Sequence, residues 1–388
     1  MNIEKELKRL NAVIVTHVFV TGPPQELAEY LKDKVAFLMF IGHPFYYNAH
    51  LGSFYFKYSS AELFIKKKAK ALNLPETTLY IKDFIYTFMW VISSKRKFDL
   101  YIGADPLNAL SGILLKKLKL TNKVIYYTID YVPQRFNNKL LNFIYHRLDN
   151  YCVKNSDRIW NLSQRMTEER IKARILSDKQ EIVPVGAHFD RIERQPLEKI
   201  NRRCLVYLGT LRQGQGLELI INSFPKILEQ VSDTKLIIIG TGPLEAHLKE
   251  VSEKLGIQHS VEFKGLIKSH EDIENVLTTC AIGLAPYEPD PNNFTKYADP
   301  SKPKQYMACG LPVIITRVPS IASEIEVKNA GLVVKYDRSE FINAATKLLR
   351  DDQFYKICRN NAIKFASEFE WNTIFSKALD TLLEISNN

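Results

Sequence analysis

The chain has 388 residues, 53 Lys+Arg against 43 Asp+Glu, and 46% hydrophobic content. That length exceeds one ordinary core and suits two domains, while the composition excludes a disordered chain. The longest apolar run, FIYTFMWVI at 84–92, is about half of the ~20 residues a spanning helix needs. Five scattered cysteines (152, 204, 280, 309, 358) show neither metal spacing nor a disulfide framework. The opening MNIEKELKRL mixes both signs of charge, unlike a secretory leader. A reducing cytoplasm is the expected setting.

Charge is unevenly spread. Residues 1–200 hold 31 basic and 20 acidic residues, whereas 201–388 hold 22 and 23. A basic half attracts anionic partners such as nucleic acid, an anionic membrane face or phosphorylated substrates. The runs KKKAK (66–70), KRK (95–97) and KKLK (116–119) supply much of it, and each can equally be a solvated face.

In chain order, the first half predicts strands at 12–18, 35–41, 99–104, 123–129 and 157–162 and helices at 24–32, 106–118, 139–154 and 163–175. A linker is expected in 181–200, where Pro and Gly precede a polar run. The second half alternates more cleanly. Near-continuous apolar runs at 204–209, 235–240, 261–265, 281–286, 312–316 and 331–336 predict parallel strands buried on both faces. Helical stripes lie between them: Leu217, Ile220, Ile221, Phe224 and Leu228, with a kink expected at Pro225, then Leu244, Leu248, Val251 and Leu255. Strand, helix, strand repeated this way predicts doubly wound α/β, hence two Rossmann-like domains.

Three corners of the second half carry chemistry. In YLGTLRQGQGLELI (207–220) a strand ends at Gly209 and a glycine loop with Arg212 and Gly214 leads into a helix, which suits close approach of a phosphate. IIIGTGP (237–243), with Gly240, lacks the third glycine of a dinucleotide fingerprint and reads as a tight turn. In YADPSKPKQYMACGLPVIIT (297–316), Asp299, Pro300, Ser301 and Lys302 precede a short helix, with Ser301 expected as its N-cap. Two cationic helix starts at the carboxyl edge of one sheet are what a nucleotide diphosphate needs.

The stretches YLGTLRQGQGLELIINSF, LIIIGTGPLEAHL, VEFKGLI, AIGLAPY, DPSKPKQYMACGLPVI and SEIEVKNAGLVV resemble, in order and spacing, the donor domain of the retaining GT-B glycosyltransferases of family 4, "group 1". The ending FASEFEWNTIFSKALDTLL is similar to the family's last helix, which crosses back onto the N-terminal domain. The resemblance implies an N-terminal acceptor domain over 1–195, completed by 368–388, and a donor domain over 196–367. It implies a nucleotide-sugar donor, a glycan or lipid-linked acceptor and retention of configuration. No cofactor is implied beyond the co-substrate. The absence of an Asp-x-Asp near these loops adds the expectation that no divalent metal is required.

At matching positions, the family's two glutamates fall on Tyr297 and Gln305, and its diphosphate-gripping Arg and Lys fall on Thr210 and Gln215. Gln305 can still bond ribose hydroxyls, Asp299 is the better candidate to touch the sugar, and Arg212 can compensate in the first loop. Ser301 and Lys302 match subgroups that use Ser and Lys on the diphosphate, and Gly265 and Leu266 complete the donor side. In the first half, the family's glycine loop falls on Thr21–Pro24, with Gly22. YYTIDYVP (126–133) resembles its "H-D" stretch, with Thr128 at the histidine position and Asp130 retained. Asp130 either positions an acceptor hydroxyl or is an ordinary loop carboxylate, and His43 is a weaker candidate. Arg212 and Lys302, aimed at the leaving diphosphate, are the catalytic candidates beside Asp130. The replaced glutamates keep a second class open, a degenerate protein that binds a nucleotide-sugar or partner transferase without turnover. No recognised nucleic-acid module appears. Peripheral contact with an anionic membrane is expected if the aromatic segments at 43–60 or 84–92 are exposed.

Overall fold

A computed structural model describes residues 3–18, 22–72, 74–172, 177–290 and 293–384. The chain divides into two compact units, Met1–Pro184 with Trp371–Asn388, and Val185–Glu370. The boundary therefore falls at Pro184, not 195, and 185–195 pack with the second unit. Val185 is tied there because its N–H donates to Asp299 Oδ2 (2.6 Å).

The first unit is built on eight strands: β1 (Asn11–Val18), β2 (Phe37–Pro44), β3 (Phe54–Ser59), β4 (Glu62–Lys68), β5 (Phe98–Gly103), β6 (Thr121–Thr128), β7 (Arg158–Asn161) and β8 (Gln180–Ile182). Their order is β4-β3-β2-β1-β5-β6-β7-β8, parallel except that β3 runs antiparallel to both β2 and β4. Val13, Ile14 and Val15 of central β1 are sealed from solvent, as helices on both faces require. The hairpin was not expected from the sequence. Its loop residues Ser60 and Ala61 have φ of 47° and 74°, the left-handed pair a two-residue hairpin loop uses. The lysines of KKKAK lie mostly on β4, exposed along its length, where charge blunts an open sheet edge. FIYTFMWVI lies within an unpredicted helix, Glu76–Ser93. The helix expected over 163–175 spans Gln164–Lys172, and 173–176 lie outside the described residues. Helix Trp371–Glu384 packs on Pro23–Leu31 as part of this unit.

The second unit holds β9 (Cys204–Leu208), β10 (Lys235–Ile239), β11 (Val261–Gly265), β12 (Ile282–Ala285), β13 (Val313–Thr316) and β14 (Gly331–Val334), all parallel. Their order, β11-β10-β9-β12-β13-β14, is the 3-2-1-4-5-6 winding, which reverses between β9 and β12. Helix Leu217–Gln230 buries Leu217, Ile220, Ile221, Phe224 and Ile227 and runs through Pro225 without ending. Both units are Rossmann-like α/β, the GT-B class.

Candidate nucleotide-diphosphate site

Open α/β sheets bind ligands beyond the carboxyl ends of their strands, where the winding reverses. In the second unit that is the end of β9, and glycine is required there. Gly209 has φ +136°, and a Cβ on it would lie 2.6 Å from Lys302 Nζ. Gly216 has φ +77°, and a Cβ there would strike the carbonyl of Pro286, just past β12. The loop between them therefore lies flat on the sheet edge, held by Gly209 N–H to Ile239 O (2.8 Å) and Leu211 N–H to Thr241 O (3.0 Å).

Lys302 reaches this loop from helix Ser301–Ala308. One turn on, Tyr306 is buried against Gly283. Its hydroxyl accepts from Leu208 N–H (2.7 Å) and donates to Leu284 O (3.3 Å), pinning the helix across β9 and β12. Lys302 Nζ then donates to Gln215 Oε1 (2.6 Å) and Tyr207 Oη (2.9 Å) and stands over the Tyr207 ring. Both partners are neutral. Burial, with the nearby Arg212 guanidinium, pushes Lys302 down to about 7. The Arg212 side chain lies over the Phe294 ring. Pro300 occupies the cap position of this helix, not Ser301, and no side chain caps it. An uncapped helix start, an underpaired lysine and an arginine thus meet at one corner, an arrangement that attracts an anion.

Residues 188–365 match the family model of the glycosyl transferases, group 1. The second unit belongs to that family. The chain is similar to an uncharacterized glycosyltransferase of Methanocaldococcus jannaschii, 24% identical over 182 residues, covering 46% of this chain and 44% of that protein. It is also similar to D-inositol 3-phosphate glycosyltransferase of Corynebacterium jeikeium, 24% identical over 222 residues, covering 52% and 51%. The chain thus spans about half the length of these curated relatives. In fold it is similar to HepE of Anabaena in complex with UDP, with TM-score 0.70 and 15% identity over 97% of this chain and 100% of that one.

Within the group 1 domain, the predicted donor residues divide. Gly209, Arg212, Gly214, Gln215 and Lys302 gather at the corner just described, and Thr210 contributes its carbonyl, which accepts from Tyr207 Oη (3.1 Å). Gly240 lies behind it, and its N–H donates to Gly265 O (2.8 Å). Leu266 is exposed beyond β11. Gln305 is half-buried one turn along from Ser301. Asp299 is not among those at the corner, since its side chain turns inward to Lys304 and Val185. It is buried, paired with Lys304 (2.5 Å), and Lys304 Nζ also donates to Val185 O (2.7 Å). The pair fastens the start of the second unit, because each buried charge there requires the other.

In the first unit Asp130 is half exposed and accepts from Arg135 (2.8 Å). Thr128 is buried and its Oγ1 accepts from Arg170 (2.8 Å), which in turn pairs with Asp149. Gly22 caps helix Pro23–Leu31 in extended conformation, while Thr21 lies outside the described residues. Of the polar group that sits where this sheet's winding reverses, between β1 and β5, the sequence reading named only His43, as a weaker candidate, and missed His17, Asp83 and Asp105. His17 Nδ1 meets Asp105 Oδ2 at 2.7 Å, and its Nε2 faces Asp83 Oδ2 at 3.5 Å. Asp83 also takes Lys82 (2.8 Å) and Ser53 Oγ (3.0 Å), and His43 lies between Ser53 and Thr87. Burial pulls His17 down, yet the two carboxylates outweigh it and raise its pKa to about 9. Burial likewise favours neutral Asp83, but His17, His43 and Lys82 hold it ionised, well below the usual carboxylate range. Burial keeps His43 neutral. Strand-end position was the available signal: His17 near the end of β1 and Asp105 capping the helix after β5.

Proposed function

We propose that the protein moves a sugar from a nucleoside-diphosphate sugar to an acceptor hydroxyl, with retention and without a required metal. The observation that carries this reading is the Lys302 ammonium, seated against Gly209 beside Arg212 and a helix start and bonded only to neutral groups. The acceptor oxygen bonds to the anomeric carbon as the bond to the diphosphate oxygen breaks. The hydroxyl proton passes to the departing diphosphate, whose growing charge Lys302 and Arg212 stabilise. Gln305 serves the ribose and Ser301 the diphosphate. Asp130 is the acceptor-side candidate, and the acceptor is a glycan or lipid-linked glycan met at the inner face of an anionic membrane.

HepE is solved with UDP, and a further structure of it holds UDP-glucose, so UDP-sugars are the first donors to try. A thermal-shift panel of UDP-, GDP- and ADP-sugars, followed by donor turnover with wild type and Lys302→Ala, tests the reading. A shift lost in Lys302→Ala supports the site, and no shift with any nucleotide sugar removes it. The replacement of both family glutamates, by Tyr297 and Gln305, favours a second reading in which donor binds without transfer. Binding with no turnover over a panel of acceptors would establish that one instead.

A further inference from the structure

Three long neighbouring helices of the first unit share one face of its sheet with the shorter helix Gln164–Lys172, which joins β7 to β8. Glu76–Ser93 leads into β5, Pro106–Lys117 joins β5 to β6, and Lys139–Asn155 joins β6 to β7. Right-handed crossovers advancing in one direction place their helices on one side, and Pro106–Lys117 packs against both neighbours. The outer helices turn apolar side chains to solvent. Ile81, Ile85, Met89 and Ile92 form a stripe at helical spacing, with Ile81 61% exposed. On the other helix Leu140, Phe143 and Ile144 stand out, Leu140 at 66%.

The charge of these three helices and their ends is mostly basic, while the helix Gln164–Lys172 beside them carries Arg165, Arg170 and Lys172 against Glu168 and Glu169. Residues 76–97, 106–119 and 139–155 carry Lys95, Arg96, Lys97, three lysines at 116–119, Lys139, Arg147 and Lys154, beside Lys82, which pairs with Asp83 inside the fold. Their acidic residues are Glu76, Asp83 and Asp149, and the last two are buried. By contrast, the helix joining β1 to β2 and its end, residues 23–34, where the winding runs the other way, carry Glu26, Glu29 and Asp33 against Lys32 and Lys34.

We propose that this three-helix face docks on an anionic phospholipid bilayer, the apolar stripes entering the headgroup boundary and the lysines and arginines meeting the phosphates. A second copy of the chain would set like charge against like, whereas a bilayer complements both features. Among the described residues no helix is long and apolar enough to cross a membrane, so the contact is with the surface. The inference rests on the proposed function only for its purpose, which is to hold the acceptor side near a lipid-linked substrate.

Co-sedimentation of the full chain with vesicles of neutral phosphatidylcholine, with and without anionic phosphatidylglycerol, tests it. Wild type should pellet with the anionic vesicles, less so in high salt. Ile85→Glu with Phe143→Glu, and separately Lys95→Glu with Lys97→Glu, should each weaken partition about tenfold or more. These positions are exposed, and an unchanged UDP thermal shift would show that the variants fold. Equal binding by variants and wild type, equal binding to neutral vesicles, or no binding to anionic ones overturns the proposal. So does conversion of a dimer to a monomer by the Ile85/Phe143 variant. Failure of the wild type to bind anionic vesicles while its UDP shift persists would sink this inference and leave the donor site standing.

Discussion

The two sheets place polar groups where their winding reverses, but they balance charge in opposite ways. In the first unit His17 and Lys82 are neutralised by Asp83 and Asp105 inside the fold. In the second, Lys302 leans on a phenol and an amide, with Arg212 as a like charge nearby. A self-compensated cluster needs nothing from outside and holds its helices together. An uncompensated one is stabilised by an arriving anion. The difference suggests which half is scaffold at that edge and which is binding site.

The largest effect should come from breaking the compensated cluster. Asp83→Ala leaves Lys82 without its carboxylate and His17 with Asp105 alone, and should cost about 3–5 kcal/mol in urea unfolding. UDP binding at the second unit should survive in the folded fraction, and loss of both together would break the contrast. Next, Lys302→Ala should weaken UDP binding by about 2–3 kcal/mol in titration calorimetry, since a charge-assisted bond to phosphate goes with it. An unchanged affinity would mean the anion sits elsewhere.

Two pH effects sharpen the same contrast. Lys302 titrates at about 7 without ligand, and a bound diphosphate must raise that value, so binding near pH 8 should take up a fraction of a proton. Calorimetry in buffers of different ionisation heat reads that uptake, and no buffer dependence would count against it. For His17, a folded value of about 9 lies above its ordinary 6.5. Its contribution to stability is therefore complete below about 6.5 and lost as pH climbs through about 9. Asp83 works the other way, contributing above its ordinary 3.8 and losing that on acidification. Thermal melts across pH should show both flanks. The smallest effect is expected at Asp130→Asn, whose exposed pair with Arg135 should change stability by no more than about 1 kcal/mol. A large loss of transfer with so small a change in melting would then mark an acceptor role.

How legible the molecule was in its sequence follows from the range of the interactions. The second unit's strands were readable because parallel strands buried on both faces are unbroken apolar runs, and its glycines sit within a few residues of the loop they shape. The β3–β4 hairpin hid because FYFKYS is mostly aromatic and ELFIKKK is an apolar triplet followed by three lysines, so neither shows the alternation of a half-buried strand. His17 and Asp105 are 88 residues apart, so only the fold brings them together. Asp299 was placed on the wrong side because its backbone precedes the right helix while its side chain turns to Lys304. Local spacing cannot tell those two directions apart.

The helix Trp371–Glu384 gives the first unit a broken sequence and the second an unbroken one. During synthesis, every residue from Val185 to Glu370 leaves the ribosome before Phe375 can reach its place against Tyr30. The half begun first is therefore completed last, and the inserted half is free to fold while its host is still waiting.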